Sequence, residues 1–267
     1  GQMAEAEVTT IHSYLTDYFS DGISYELLLP QYLITNSYTT FPANTMQSAR
    51  IAPPVFGLGL LEAVAEEEIL KYVDVSDANS DGISGKANIV YDFEKHEYKL
   101  GRFGWKAGQP NLKQQTAGAY NEDMGITNPI FSKESCDQQP QHDGNYYDNE
   151  INDSILHAVT FYVQTLAVPA RRNADRADVL EGKNIFLNSG CGSCHRPSMT
   201  TAVNVAFPEI SNQKIFPYTD LLLHDMGEGL ADNRPEYLAN GREWRTSPLW
   251  GIGLTKVVNG HQYFLHD

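Results

Sequence analysis

The sequence predicts a mainly α-helical protein in which helices are joined by long polar loops. Three stretches place apolar residues at helical spacing: residues 56–73, 151–168 and 177–188. By contrast, residues 135–150 are rich in Asp, Gln, Asn and Tyr, a composition typical of an exposed loop. No internal repeat or low-complexity tract interrupts this pattern.

Each predicted helix has a recognisable apolar face. In the first, the acidic run 66–68 borders a stripe made of Leu58, Leu60, Leu61, Val64, Ile69 and Leu70. The second ends before Pro169, which cannot continue a helix. The third has its apolar positions at Val179, Leu180, Ile185, Phe186 and Leu187. We assign residues 1–150 to an N-terminal domain and 151–267 to a C-terminal domain, with the charged stretch 171–178 as a linker region.

The third helix leads directly into Cys191-Gly192-Ser193-Cys194-His195, which is the attachment signature of c-type haem. Each thiol can add to one vinyl group of the porphyrin, and the adjacent histidine is then held with a ring nitrogen aimed at the iron. Gly182 and Phe186 make the preceding helix resemble the first helix of a cytochrome c domain, where glycine permits close packing and an aromatic ring covers the haem edge. The motif therefore predicts a covalent haem c on Cys191, Cys194 and His195.

Two further interpretations of the motif stay open, a redox-active dithiol and a half-site for zinc. A thioredoxin-like C-x-x-C follows a strand and opens a helix, whereas Cys191 follows a predicted helix. A structural zinc site needs four ligands, and the remaining cysteine, Cys136, lies far away in sequence without a paired motif.

The composition is that of an acidic protein with ordinary hydrophobic content. Among 267 residues the formal net charge is -15 and 41% are hydrophobic. No apolar run approaches the roughly 20 residues that span a bilayer. The acidity argues against nucleic acid or an anionic membrane surface, and it favours a basic partner or a neutral substrate. Because haem c is attached outside the bacterial cytoplasm, we expect a periplasmic protein whose leader is absent from this sequence.

The loop from Asp77 to Gly82 is a second candidate site. Asp77, Asn79 and Asp81 place oxygen side chains at alternate positions before a glycine, as in the opening of an EF-hand calcium loop. The position where that loop carries a bidentate glutamate is Asn88 here. The pattern predicts calcium, and a turn held by Asx side chains without metal stays open as the alternative.

A series of motifs also runs in a characteristic order along the chain. They are Arg50–Pro54, Phe56–Ala63, Asp81–Gly85, Gly101–Ala107, Asp123–Asn128, Leu223–Gly227, Arg242–Gly251 and Phe264–Asp267. In this order they resemble the di-haem oxidoreductases related to bacterial cytochrome c peroxidase and to MauG. The resemblance covers the chain from about Asp21 to its end.

The resemblance implies two haems, an N-terminal one where peroxide reacts and a C-terminal one that relays electrons to it. Because the attachment motif follows Gly101–Ala107, it matches the electron-transfer haem. A first attachment motif is then expected upstream of Gly1, and a further helix after Asp267. The implied fold is a cytochrome c-like helical haem domain plus a loop-rich helical N-terminal domain, the remnant of the peroxidatic-haem domain.

The resemblance also assigns residues around the peroxide. Relatives place a glutamine and an acidic residue there, the acid moving protons as the peroxide bond breaks. Gln115 and Asp123 match these positions, with Glu122 competing for the acidic role and ordinary solvated polar groups as the alternative. Trp105 is expected either between the two haem sites, where it would assist electron transfer, or packed in a domain interface.

Met226 is the favoured sixth ligand of the iron, because a thioether raises the haem potential and suits an electron relay. Four other residues are alternatives: Met199, His224, His261 and His266.

The sequence thus predicts a haem-dependent periplasmic oxidoreductase of the di-haem peroxidase type, whose electron-transfer haem lies on this chain. The implied partners are a small redox donor protein and peroxide or another small oxidant. Two alternatives stay open: a mono-haem electron carrier or sensor without peroxidase activity, and a haem-free thiol–disulfide oxidoreductase that uses Cys191 and Cys194.

Overall fold

Four two-stranded antiparallel sheets and six α-helices form the secondary structure of this computed structural model, which describes residues 6–137, 139, 142, 148–260 and 264. The sheets pair β1 with β2, β3 with β4, β5 with β6, and β7 with β8. The strands are β1 (Glu7–Tyr18), β2 (Ser24–Thr35), β3 (Ile89–Asp92), β4 (Glu97–Leu100), β5 (Met199–Thr200), β6 (Lys214–Ile215), β7 (Leu223–Asp225) and β8 (Glu243–Arg245). The helices are α1 (Leu58–Glu62), α2 (Glu66–Leu70), α3 (Leu112–Gly118), α4 (Asp153–Thr165), α5 (Ala177–Asn188) and α6 (Thr255–Asn259).

The prediction of a mainly α-helical protein is wrong. Helix accounts for 26% of the structure and strand for 21%. The β1–β2 hairpin is the largest departure, because its two strands have twelve residues each in a region where no strand was expected. β-branched and aromatic residues favour strands there, but polar and apolar side chains are mixed on both faces of the hairpin, so no period-two alternation is visible in the sequence.

All three predicted helices are present, and two of them differ in extent. α5 covers the predicted span 177–188. α4 begins at Asp153 because the Asn152 side chain accepts a hydrogen bond from the Ile155 N–H (3.0 Å), and it ends at Thr165. The predicted helix 56–73 is divided into α1 and α2, since Ala65 has an extended backbone and Val64 forms a β-bridge with Thr201. None of the helices in the described part of the chain is long and apolar enough to cross a membrane.

The hydrophobic core lies between α1, α2, the segment 100–112 and the segment 199–222. Its buried members are Leu61, Val64, Ile69, Leu100, Phe103, Leu112, Met199, Ile215, Leu221 and Leu222. Glu62 joins three helices here, because its carboxylate accepts from the Leu112 N–H (2.7 Å) and from Gln164 Nε2 (2.6 Å). The core therefore takes side chains from both sides of residue 150, and the division into two domains stays a prediction.

Candidate functional site

The haem attachment motif lies in the turn after α5. Gly190 has a left-handed backbone (φ +83°), and residues Cys191–Ser193 form a single 3₁₀ turn. The His195 N–H donates to the Cys191 carbonyl (3.0 Å), and the turn leaves Cys191 exposed and Cys194 half-buried. The chain then enters β5 rather than a helix. This arrangement disfavours thioredoxin-like chemistry, in which the attacking thiol sits at a helix N-terminus.

The His195 imidazole is oriented by the backbone of another segment. Its Nδ1 lies 2.9 Å from the Tyr218 carbonyl oxygen. Because a carbonyl oxygen only accepts hydrogen bonds, Nδ1 carries the proton and the lone pair of the neutral ring is on Nε2, the form that binds a metal. Tyr218 has φ +55°, an uncommon conformation for a residue other than glycine. The Phe186 ring lies beside both residues, with centroids 6.2 Å from His195 and 5.8 Å from Tyr218.

A buried aspartate–histidine pair lies next to Cys194. His224 Nε2 is 2.8 Å from Asp220 Oδ2, and His224 Nδ1 is 3.7 Å from Cys194 Sγ. Burial lowers the pKa of His224, but the hydrogen bonds to Asp220 and Cys194 outweigh it and raise the pKa to about 10. Because Asp220 and Cys194 are the partners of its two ring nitrogens, His224 has no nitrogen left for iron, which argues against it as an axial ligand. The sequence analysis did not identify Asp220. The feature that could have indicated it is an aspartate four residues before a histidine.

The surroundings of the motif fit a large apolar group that carries negative charge at its edge. α5 buries none of its residues, and Leu180, Ile185 (59% exposed) and Leu187 face outward beside the motif. Val205, in the loop that follows, is 89% exposed. Arg196 Nε is buried without a hydrogen-bond partner among the described residues. An unsatisfied guanidinium N–H directly after His195 suits an anion such as a porphyrin carboxylate.

The other predicted features of the haem region differ in outcome. Met199 is buried as a member of the hydrophobic core, a position that disfavours it as an iron ligand. Met226 is half-buried after β7, where its N–H donates to the Arg242 carbonyl (3.0 Å), and its role as ligand stays a prediction. His261 and His266 lie outside the described residues. A Cβ at Gly182 would have no neighbour within 4 Å in the described chain, so close packing does not require glycine there.

The predicted peroxide residues lie on one helical stretch, which is formed by α3 and the π-helical turn 119–123. Gln115 and Asp123 are eight positions apart, or roughly 12 Å along a helix axis, and no hydrogen bond or ion pair within the described chain joins them. Gln115 is half-buried, and its Oε1 has no partner among the described residues. Asp123 is exposed. The buried Oε1 of Gln115 thus lacks a partner in the described chain, and the structure does not bring the two side chains together. Their role around the peroxide stays a prediction.

Glu122 is the competitor for the acidic role, and it is an exposed residue, as Asp123 is. Desolvation raises the pKa of Glu122, the nearby carboxylates of Asp123 and Glu236 raise it further, and Arg234 opposes them. A raised pKa suits a group that takes up and releases a proton. Sequence spacing favours Asp123, whereas this pKa shift favours Glu122, and the assignment stays a prediction.

Trp105 connects two distant segments. Its indole Nε1 donates to the Ile51 carbonyl (2.7 Å), and its own carbonyl accepts from the Arg245 N–H (2.8 Å). A packing role between the segment 50–55 and β8 is therefore present. The role of Trp105 in electron transfer stays a prediction.

The loop of the predicted calcium site closes on its own backbone. Asp77 Oδ2 accepts from the Gly82 N–H (3.1 Å), and Asp81 Oδ1 accepts from the Ile83 N–H (2.9 Å). Asn79 Nδ2 donates to Asp81 Oδ2 (3.2 Å), whereas Asp77 Oδ1 is buried without a partner in the described chain. Asn88 is committed elsewhere, because its amide binds the backbone of residues 106, 236 and 238. The loop has the geometry of an Asx turn, and in the described part of the chain no three His, Cys, Asp or Glu side chains are grouped so as to hold a metal ion. Calcium stays a prediction.

A family model described as "Di-haem oxidoreductase, putative peroxidase" matches residues 34–267 of the chain. The chain belongs to this di-haem oxidoreductase family. The match includes the attachment motif, Gln115 and the Asp77–Gly82 loop, and it leaves β1 and most of β2 outside. Membership supports a haem-dependent, peroxidase-like oxidoreductase and a peroxide-type oxidant. Comparisons with curated proteins and with solved structures gave no match.

Proposed function

We propose that this di-haem oxidoreductase works in the bacterial periplasm, where Cys191 and Cys194 would hold an electron-transfer haem c and His195 would bind its iron. The observation that carries the proposal is the orientation of His195, whose Nδ1–H is committed to the Tyr218 carbonyl at 2.9 Å. When bound, the haem supplies one-electron redox chemistry. The periplasm follows from this cofactor, because haem c is attached outside the cytoplasm.

The residues around the motif have roles that follow from their contacts. The Tyr218 carbonyl sets the tautomer and ring plane of His195, and Phe186 limits rotation of that ring. Arg196 offers a buried N–H to an anionic group. Met226 would supply a second protein ligand to the haem iron.

The charge of the chain indicates the kind of electron donor. A formal net charge of -15 attracts a small redox protein with a basic docking surface and accelerates the encounter at low ionic strength. On the oxidant side we assign Gln115 and Asp123 to peroxide, with Glu122 as the alternative acid. Gln115 Oε1, which is buried without a hydrogen-bond partner among the described residues, would accept an O–H hydrogen bond, and the carboxylate would move the proton.

The test is haem stoichiometry in the full chain secreted to the periplasm of a host that matures haem c. We expect covalent haem in the wild type by the pyridine haemochrome assay, and its loss in Cys191→Ser and Cys194→Ser. Cys136→Ser is the matched control and should keep the haem, because Cys136 lies outside the motif. Wild-type protein without covalent haem would sink the proposal and return attention to thiol chemistry at Cys191 and Cys194.

Peroxide turnover with a reduced donor protein separates the enzyme from a mono-haem carrier or sensor. We expect turnover that falls at least tenfold in Gln115→Leu while the haem content is unchanged. Haem-loaded protein that exchanges electrons with the donor but consumes no peroxide would favour the carrier.

A further inference from the structure

The β1–β2 hairpin exposes apolar side chains on both faces. They include Val8, Ile11, Tyr14, Leu15, Tyr18, Leu29, Tyr32 and Leu33, all more than 40% exposed. A two-stranded hairpin is marginally stable by itself in water, and large apolar side chains exposed in this number are typical of an interaction site even where polar residues lie between them. The hairpin also lies almost entirely before residue 34, where the family match begins. Its role is therefore not explained by the oxidoreductase site.

The hydrogen bonds of the hairpin show which backbone groups face outward. The Phe19 N–H donates to the Ile23 carbonyl (2.9 Å), and the Ser13 hydroxyl donates to the Leu29 carbonyl (3.0 Å). Odd-numbered residues therefore form the hydrogen-bonded pairs between β1 and β2. Because such pairs alternate with non-hydrogen-bonded ones, the N–H and C=O groups of even-numbered residues point away from the partner strand.

The two outer edges differ in their capacity to pair. On β2 the outward set includes Pro30, which has no N–H to donate. On β1 the outward groups belong to residues 8, 10, 12, 14, 16 and 18, none of which is proline. The Tyr18 N–H is already bound to the Asp17 carboxylate (2.8 Å). Within the described residues no other strand pairs with this edge of β1, and its open part is centred on residues 10–16.

We propose that this edge of β1 pairs antiparallel with β1 of a second copy of the chain, about a two-fold axis at Ser13. The product is a four-stranded sheet with β2 on each outer edge. With the axis at Ser13, His12 opposes Tyr14 and Thr10 opposes Thr16 of the second copy. These even-numbered residues carry the outward N–H and C=O groups, so they form the new hydrogen-bonded pairs. On the other face of the sheet, Ile11 opposes Leu15.

Charge and polarity favour this register over its neighbours. With the axis at Ser13, Asp17 opposes Thr9, and no two like charges oppose each other. Moving the axis to His12 places Glu7 opposite Asp17, which is repulsive. Moving it to Tyr14 places Ile11 opposite Asp17 and loses the Ile11–Leu15 contact. The register at Ser13 is the one that matches apolar with apolar residues and avoids repulsion.

The same features limit the assembly to two copies. Pro30 interrupts the outer edge of β2, so a third hairpin has no complete set of donors to add to. A two-fold pairing of β1 with itself also uses up the open edge of both copies. The expected assembly is a closed dimer, and open-ended association is not expected.

The oligomeric state of the full haem-loaded chain, measured by sedimentation velocity over a range of concentrations, tests the proposal. We expect a dimer. Ser13→Glu and Ser13→Lys each place like charges against each other on the two-fold axis, so each variant alone should be monomeric. Mixing the two variants should restore dimers, because opposite charges then meet on the axis. Recovery on mixing also shows that both variants are folded.

Proline substitutions test which edge pairs. His12→Pro removes an outward N–H of β1 without breaking a bond to β2, and it should give a monomer. Tyr32→Pro is the matched control, because it makes the same change on the outer edge of β2 and should leave the dimer intact. A wild-type monomer at every concentration would overturn the proposal. A dimer insensitive to the Ser13 substitutions, open-ended assemblies, or failure of the mixed variants to associate would overturn it equally.

Discussion

His195 Nδ1 lies 2.9 Å from the carbonyl oxygen of Tyr218, which comes 23 positions later in the chain. The neighbouring residue of the motif is held by the same segment, because Cys194 Sγ is 3.7 Å from the ring of His224. Two consecutive residues of the haem motif are therefore positioned by residues 218–224. The five-residue signature predicts the cofactor, whereas this later segment sets the orientation of the His195 ring.

We expect His195 in the haem-free chain to be the Nδ1–H tautomer at mildly alkaline pH. The reason is the Tyr218 carbonyl, which can only accept a hydrogen bond. Long-range ¹H–¹⁵N NMR of the histidine rings distinguishes the two tautomers. His157, whose side chain is exposed on α4, is the control and should show the solution mixture. A dominant Nε2–H form of His195 would contradict the geometry.

Removal of the buried Lys106 ammonium should destabilise the fold strongly. Lys106 Nζ lies 2.7 Å from both Asp232 Oδ1 and the Asn240 carbonyl, and 4.6 Å from the centre of the Trp244 ring. Lys106→Met leaves a half-buried carboxylate without one of its cations, at an expected cost of about 3–5 kcal/mol in the free energy of unfolding. Urea denaturation measures this loss.

Lys99→Met is the matched control for Lys106→Met. The ion pair of Lys99 with Glu97 is solvent-exposed, so its loss should change stability by less than about 1 kcal/mol. Similar losses in the two variants would show that burial of Lys106 has no energetic consequence, contrary to this prediction.

Asp232 should make the fold sensitive to acid. Burial raises the pKa of Asp232, but hydrogen bonds from Lys106, Ser48, the Arg234 N–H and Arg50 outweigh it and lower the pKa from 3.8 to about 2. The folded carboxyl therefore holds its proton less tightly than the unfolded one. Its stabilisation is complete above pH 3.8 and is lost as the pH falls towards 2.

The measurement for Asp232 is the free energy of unfolding across that pH range. Wild type should lose more stability than Asp232→Asn, which has no titrating carboxyl at this position. Asp178→Asn, a change on the exposed start of α5, should follow the wild-type profile. Parallel profiles for wild type and Asp232→Asn would refute the prediction.

The features that could be predicted from the sequence are those encoded by residues close together in the chain. The span of α5 and the attachment motif were found because helical periodicity and C-x-x-C-H spacing act within a few residues. Tyr218 was missed, because a left-handed residue that directs a carbonyl to His195 depends on tertiary contacts. The hairpin was missed for a related reason. Neither face of the hairpin packs against the core as a whole, so neither face needs to be uniformly apolar. Polar and apolar residues are therefore mixed on both faces, and the alternation that would predict a strand is missing.

The approach of α1 to α4 should make Gly59 intolerant of any side chain. A Cβ at Gly59 would collide with the carbonyl oxygen of Gln164. Gly59→Ala should therefore lower the free energy of unfolding by about 1–3 kcal/mol, as overpacking does. Gly182→Ala in α5 is the control, because no atom of the described chain lies within 4 Å of the new Cβ. Gly182→Ala should stabilise the helix by about 0.5–1 kcal/mol. If Gly59→Ala and Gly182→Ala changed the free energy of unfolding equally, the close packing of α1 on α4 would be contradicted.

Calcium should raise the melting temperature of the chain through the Asp77–Gly82 loop. Asp77 Oδ1 is buried without a hydrogen-bond partner in the described chain, and a cation bound there would offset its desolvation. Binding to the folded state stabilises it in proportion to the logarithm of cation concentration. Asp77→Asn should abolish the shift, Asp178→Asn should keep it, and Mg²⁺ should give a smaller shift because it requires a tighter octahedral shell. If Ca²⁺ did not change the melting temperature, the loop would be a metal-free Asx turn. The hydrogen bonds from the Gly82 and Ile83 N–H groups would then be enough to hold its conformation.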